Sequence, residues 1–122
     1  MHARSKLGCA GEGLACDLYR RAGFTILDRN FRSGREEIDV VARRGSLVVF
    51  YEVKTRRSEE WGDPSEAVDH RKRAALRRVA GAWLSERRVE VWGMRGPDIR
   101  FDVVSVIVRD GHSEVNHIPD AF

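Results

Sequence analysis

Residues 37–56, EIDVVARRGSLVVFYEVKTR, constrain the fold more than any other stretch. Two runs of β-branched and aromatic residues flank Arg44-Gly45-Ser46, and the glycine can supply the positive φ of a tight turn. The stretch is therefore expected to be a β-hairpin. Val48, Val49, Phe50, Tyr51 and Val53 are residue types of a strand buried on both faces. Glu52 and Lys54 interrupt that run, so a carboxylate and an ammonium enter the end of a core strand.

The chain has 122 residues, enough for one core and one domain, and residues 1–122 are read as a single unit. Hydrophobic residues make up 42% and charged residues 34%, which excludes a disordered chain. No apolar run approaches the roughly 20 residues of a spanning helix. The N-terminal MHARSKLGCAGEG is basic but lacks the apolar centre of a secretory signal, and a soluble cytoplasmic protein with no membrane partner is expected. Cys9 and Cys16, if on one helix, stand about 10 Å apart along its axis, too far for a disulfide. They are expected to be small buried hydrophobes. Net charge is only +3, but arginine recurs in doublets at 20–21, 43–44, 56–57, 77–78 and 87–88, beside the cluster Arg71-Lys72-Arg73. A solvated face explains any one doublet; together they lean towards a polyanion, since the guanidinium fork suits phosphate.

Along the chain, Leu14, Ala15, Leu18 and Ala22 predict a helix over 8–22 that ends at Gly23. FTILDRNF, 24–31, predicts a strand, and the hairpin follows. SEEWGDPSEA holds turn formers, with Ser65 a candidate cap for a second helix over about 66–88. That helix presents Val68, Leu76, Val79, Ala80, Trp83 and Leu84 on one arc. Gly81 within it is read as a point of close approach to the sheet. VEVWGM is read as a short strand, DIRFDVVSVIVRD as a longer one and SEVNHI as an edge strand. Helix, three strands, helix, two strands predicts an α/β fold, a mixed sheet with a helix on each face.

With Arg44-Gly45 as a two-residue turn, Asp39 faces Phe50 and lies diagonal to Glu52, at about 7 Å between Cα atoms. Two carboxylates and Lys54 then converge. Glu12 falls at the margin of the first helix's apolar stripe, and Lys72 lies out of pattern within the second helix's apolar arc. Adjacent half-buried carboxylates call for a cation. All-oxygen ligation with open positions suits Mg²⁺ or Mn²⁺, which activates water for phosphodiester hydrolysis while Lys54 offsets developing charge. The competing reading is a plain strand-end ion pair of Glu52 and Lys54.

Asp39, Glu52 and Lys54, spaced D-x12-E-x-K, resemble the core of the PD-(D/E)XK nuclease superfamily, which includes restriction enzymes and Holliday junction resolvases. The wider pattern resembles the YraN-like family of small bacterial proteins. It comprises Gly8, Gly11 and Glu12; Asn30 and Arg32; Glu37 to Asp39; Phe50 to Arg56; WGDP at 61–64; Lys72; and RFDVV at 100–104. One departure is Glu36, where the family usually has glycine. The resemblance implies a three-layer restriction-endonuclease-like fold with a five-stranded mixed sheet, making residues 1–122 one nuclease-like domain. It also implies that Asp39, Glu52 and the Val53 carbonyl ligate metal and that Lys54 is the catalytic lysine. Glu12 would be an additional acid, and Lys72, Arg56, Arg32 and Arg73 nucleic-acid contacts. Glu37 is expected in a supporting or structural role and Asp102 as a strand-end hydrogen-bonding residue.

The function implied is a Mg²⁺-dependent, structure-selective endonuclease of resolvase type acting on DNA, branched DNA included. Cutting both strands would call for a homodimer. The alternatives are a nucleic-acid-binding module without turnover, and an adaptor in DNA processing whose apolar patch would surround Trp61 or Trp92. His2, His70, His112 and His117 have no metal-ligand spacing and are expected at the surface.

Overall fold

The structure, a computed structural model, describes residues 6–56, 70–91 and 96–121, with side chains described for 10–56, 70–87 and 96–121. In chain order the elements are α1 (Lys6–Arg21), β1 (Thr25–Ser33), β2 (Glu36–Arg44), β3 (Leu47–Arg56), α2 (His70–Val91), β4 (Asp98–Arg109) and β5 (His112–Ile118). The sheet order is β1-β2-β3-β4-β5. Every neighbouring pair is antiparallel except β3 and β4, which run parallel because α2 crosses between them.

Alternation along β3 divides the core into two layers. Val49 and Tyr51 pack with Ala15, Cys16 and Tyr19 of α1, while Val48 and Phe50 pack with Leu76, Val79, Ala80 and Trp83 of α2. Both helices bury residues at i, i+3, i+4 and i+7, the spacing of one helical face. The result is an α/β, three-layer restriction-endonuclease-like fold: a mixed five-stranded sheet with one helix on each side.

The helix α1 closes as its sequence predicts. Gly23 takes φ 89°, Phe24 N donates to Tyr19 O at 2.9 Å, and Gly23 N donates to Arg20 O at 3.0 Å. Cys16 is a free, buried thiol, and the side chain of Cys9 lies outside the described residues.

The hairpin turn is Gly45-Ser46, one residue later than expected. Gly45 takes φ 60°, and Arg44 pairs with Leu47. Val41, not Asp39, therefore faces Phe50. A shift of two positions leaves the facing sides unchanged.

VEVWGM is not a strand in its described part, because α2 continues through Val91. Alternation over three residues is weaker than propagation of a helix already nucleated. Trp92, Gly93 and Met94 lie outside the described residues, as do Trp61, the WGDP segment, Ser65, Val68 and the expected start of the second helix. The two closing strands are therefore β4 and β5, and SEVNHI belongs to the latter. Gly81 is exposed, and a Cβ added there would meet nothing within 4 Å, so it makes no close approach. The glycine that does is Gly11, whose added Cβ would lie 1.9 Å from Thr55 Oγ1.

Candidate active site

The site begins where β2 and β3 part. Their ladder runs from Arg44↔Leu47 to Val40↔Tyr51, whereas β2 stays paired with β1 as far as Ser33↔Glu36. Ile38 packs in the α2 layer, but Val40, two residues on, packs in the α1 layer. Strict alternation would put both on one side, so β2 rolls over at Asp39. Asn30, between the pairs Arg29↔Val40 and Phe31↔Ile38, takes φ 56° at the same level. At this fork the Asp39 side chain stands in for a ladder partner: Val53 N donates to Asp39 Oδ2 at 2.8 Å.

Glu52 lies on the α2 side of β3 and is 4% exposed. Its Oε1 is buried and has no hydrogen-bond partner among the described residues. Lys72 Nζ approaches Glu52 Oε2 at 3.8 Å, which accounts for a lysine within an apolar helix face. Burial first, and then the neighbouring Asp39 carboxylate, push the Glu52 carboxyl up to about 8, while Lys72 and Lys54 pull it down. Asp39, Glu52, Lys54 and Lys72 thus act on one another around the end of β3. Ser105, opposite Lys54 in β4, adds a second buried oxygen without a hydrogen-bond partner among the described residues.

Glu12 is placed differently. It is 3% exposed and occupies the buried stripe of α1 with Ala15, Cys16 and Tyr19 rather than its margin. Arg29 Nη2 lies 3.6 Å from its Oε1. Gly11 seats this turn on Thr55, so Glu12 approaches β3 from the side opposite Glu52. Among the described residues no three His, Cys, Asp or Glu side chains gather closely enough to hold a metal ion. The acids that do meet are Asp39 and Glu52.

The basic candidates surround the site at different depths. Arg56 ends β3 and is half-buried, as is Arg73 one residue after Lys72; Arg73 Nε has no hydrogen-bond partner among the described residues. Arg32 is exposed, and its Nε donates to Glu37 Oε2 at 2.9 Å.

A second polar cluster occupies the α1 side of β4, where the sequence predicts a strand-end hydrogen-bonding residue at Asp102; it is hydrogen-bonded, but within the strand rather than at its end. Asp102 is fully buried within β4. Arg100 donates to both its oxygens at 2.8 and 2.9 Å, Tyr19 OH donates to Oδ2 at 2.6 Å, His117 Nε2 lies 2.8 Å from Oδ2, and Asp120 N donates to Oδ1 at 2.9 Å. Burial pushes this carboxyl up, but the hydrogen bonds from Arg100, Tyr19, His117 and Asp120 outweigh it and hold the group below its ordinary value. His117 is exposed, as expected from the sequence, and bonds Asp102 as well. The signal was present: an acid inside an apolar run, the same oddity that singled out Glu52.

The family described as "Uncharacterised protein family UPF0102" matches residues 11–106. This chain belongs to the UPF0102 family. It is 44% identical over 117 residues to a UPF0102 protein of Syntrophomonas wolfei, covering 96% of this chain and 97% of the relative. It is 42% identical over 121 residues to one of Syntrophotalea carbinolica, covering 99% and 94%. It is 45% identical over 121 residues to one of Kineococcus radiotolerans, covering 97% and 96%. The YraN-like resemblance read from the motifs is this UPF0102 membership. Among the described residues of this UPF0102 chain, no helix is long and apolar enough to cross a membrane.

Proposed function

We propose that this UPF0102 chain hydrolyses phosphodiester bonds in DNA with the aid of Mg²⁺ or Mn²⁺, as a structure-selective endonuclease of resolvase type. The observation that carries this reading is Glu52 Oε1, a buried carboxylate oxygen with no hydrogen-bond partner among the described residues, beside the Asp39 carboxylate. Such an oxygen costs a few kcal/mol unless something binds it. A hard divalent cation fits, held by Asp39, Glu52 and the Val53 carbonyl. Mg²⁺ characteristically takes one or two carboxylates and leaves its other positions to water and phosphate.

When bound, the ion supplies Lewis-acid polarisation of the phosphoryl group and a more acidic water. The chain supplies the rest. Burial and the neighbouring Asp39 carboxylate push the Glu52 carboxyl up, so a cation held there would favour its ionised form. Lys54 is assigned the stabilisation of charge developing on the phosphate oxygens. Lys72 offers a phosphate contact from α2, and Arg32, Arg56 and Arg73 extend the basic surface along a nucleic-acid backbone. Glu12 is assigned a supporting role from α1, orienting the fork through Arg29. Contacts of this kind read backbone shape, which favours branched or otherwise structured DNA as the substrate.

A second reading, a nucleic-acid-binding module without turnover, has one observation in its favour: among the described residues only two acids gather at the fork. The deciding experiment incubates the protein with Mg²⁺ or Mn²⁺ and a panel of linear, flapped and four-way DNA, beside Asp39→Ala and Lys54→Ala. Metal-dependent cleavage lost in both variants supports the nuclease. Cleavage surviving both reveals a contaminant, and binding without cleavage on every substrate favours the module. Calorimetric titration with Mn²⁺ reads the cation site independently, and Glu52→Gln is expected to abolish that binding.

A further inference from the structure

The two edges of the sheet are built differently. β1 is interrupted by a register shift at Leu27 and by Asn30 at φ 56°, both of which bend an edge away from further pairing. β5 has no such device. Its seven residues pair with β4 one to one from Arg109↔His112 to Val103↔Ile118 without a shift. Proline appears only after its end, at Pro119, and Glu114 is its sole Asp, Glu, Lys or Arg. Among the described residues, β4 is the only strand that pairs with β5. A straight, nearly uncharged edge of this length is a template for another strand.

We infer that β5 pairs with β5 of a second copy of this chain, antiparallel about a twofold axis at Val115. The residue pattern favours that register over its neighbours. With the axis at Val115, the midpoint of 112–118, all seven residues find partners. Val115 then meets Val115, Ser113 meets His117, Glu114 meets Asn116, and His112 meets Ile118. An axis at Glu114 would set two carboxylates directly opposite, as would parallel in-register pairing; both are disfavoured. An axis at Asn116 would shorten the ladder.

The sides agree as well. Val115 packs in the α1 layer and Ile118 in the α2 layer, so pairing brings the α1 layers of the two copies onto one face of a ten-stranded sheet. Glu52 is level with Val103 and hence with Ile118, three residues from the axis. Counting strand spacings and residue rises puts the two Glu52 positions about 30 Å apart, at opposite ends of the joined sheet. The inference does not rest on the nuclease reading, and its test involves no DNA or metal.

Sedimentation velocity on the full chain, from micromolar to several hundred micromolar, tests it. A seven-residue strand pairing buries less surface than a standard interface, so a concentration-dependent monomer–dimer equilibrium is expected. Asn116 is exposed, so substitution there spares the core. Asn116→Glu places it against Glu114 of the other copy twice and is expected to weaken association about tenfold. The double variant Glu114→Lys with Asn116→Glu restores it, and Asn116→Lys alone strengthens it. In the wild-type background, Val115→Cys is expected to give an oxidised dimer across the axis. A chain that stays monomeric throughout, or a dimer indifferent to Asn116→Glu, overturns the inference.

Discussion

Two buried carboxylates lie on opposite sides of the sheet, and their surroundings are reversed. Asp102, on the α1 side, accepts from Arg100, Tyr19, His117 and Asp120, and its carboxyl is held below the ordinary range. Glu52, on the α2 side, is almost as buried, keeps one oxygen without a hydrogen-bond partner among the described residues and is pushed up to about 8. Burial is common to both and cannot distinguish them; the count of satisfied oxygens does. A carboxylate surrounded by its own fold's donors ties elements together, here α1, β4, β5 and the residues after β5. One left short of donors, beside another acid, is poised for something the fold does not supply.

The largest expected effect tests the structural side. Asp102→Ala takes away the acceptor of the Arg100 guanidinium and leaves the Tyr19 hydroxyl only His117 Nε2, 3.0 Å away, and should cost about 3–5 kcal/mol in urea unfolding at pH 7. Glu52→Gln should cost nothing comparable there; equal losses would erase the contrast. Next comes Lys54→Ala. Under the proposed chemistry it should lower the cleavage rate about 10²–10³-fold, with the unfolding midpoint unchanged.

The pH dependence follows with opposite signs. Asp102 has its folded value below its unfolded one near 3.8, so its contribution is full above that pH and disappears as pH falls through the folded value. Glu52 has its folded value raised from 4.5 to about 8, so its contribution is full below 4.5 and is lost as pH rises through 8. Glu52→Gln should therefore be more stable than wild type at pH 9 by about 2–4 kcal/mol, and no more stable at pH 4. Added Mg²⁺ should narrow the gap at pH 9 by binding the ionised wild-type side chain. A gap that is the same at both pH values would show that Glu52 titrates normally.

Much of this arrangement is legible in the sequence. The alternating run around Glu52 and Lys54 identified β3 and its oddity, and the apolar arcs located both helices. Asp39 was assigned to Glu52's neighbourhood through a hairpin register that was off by two positions. The error was harmless because an even shift preserves the facing side. The roll of β2 at Asp39 was not legible, since alternation describes a regular strand and Ile38 and Val40 obey it in sequence while violating it in space. Asp102's partners are up to 83 residues away in the chain, and no local pattern encodes such a distance. Val89 to Val91 were misread because three alternating residues at the end of a helix carry too little information against its continuation.

The smallest effect tests whether the two sides are independent. Gly11 lets α1 touch β3, and a Cβ there would lie 1.9 Å from Thr55 Oγ1, 3.0 Å from its Cβ and 3.1 Å from its Cγ2. Gly11→Ala must push the helix or the strand aside and should cost about 1–3 kcal/mol. Thr55→Gly in the same chain removes every atom of that clash and should recover part of the loss, less the strand's own penalty for glycine. The displacement falls on α1, which carries Glu12 and Tyr19, whereas Glu52 and Lys72 meet on the other side of β3. The Gly11→Ala chain should therefore show weakened amide protection around Tyr19 and His117 but keep the alkaline stability loss that Glu52 produces. If that alkaline limb moves with the α1 side, the two carboxylates belong to one mechanical unit, and the fork at Asp39 is the hinge that joins them.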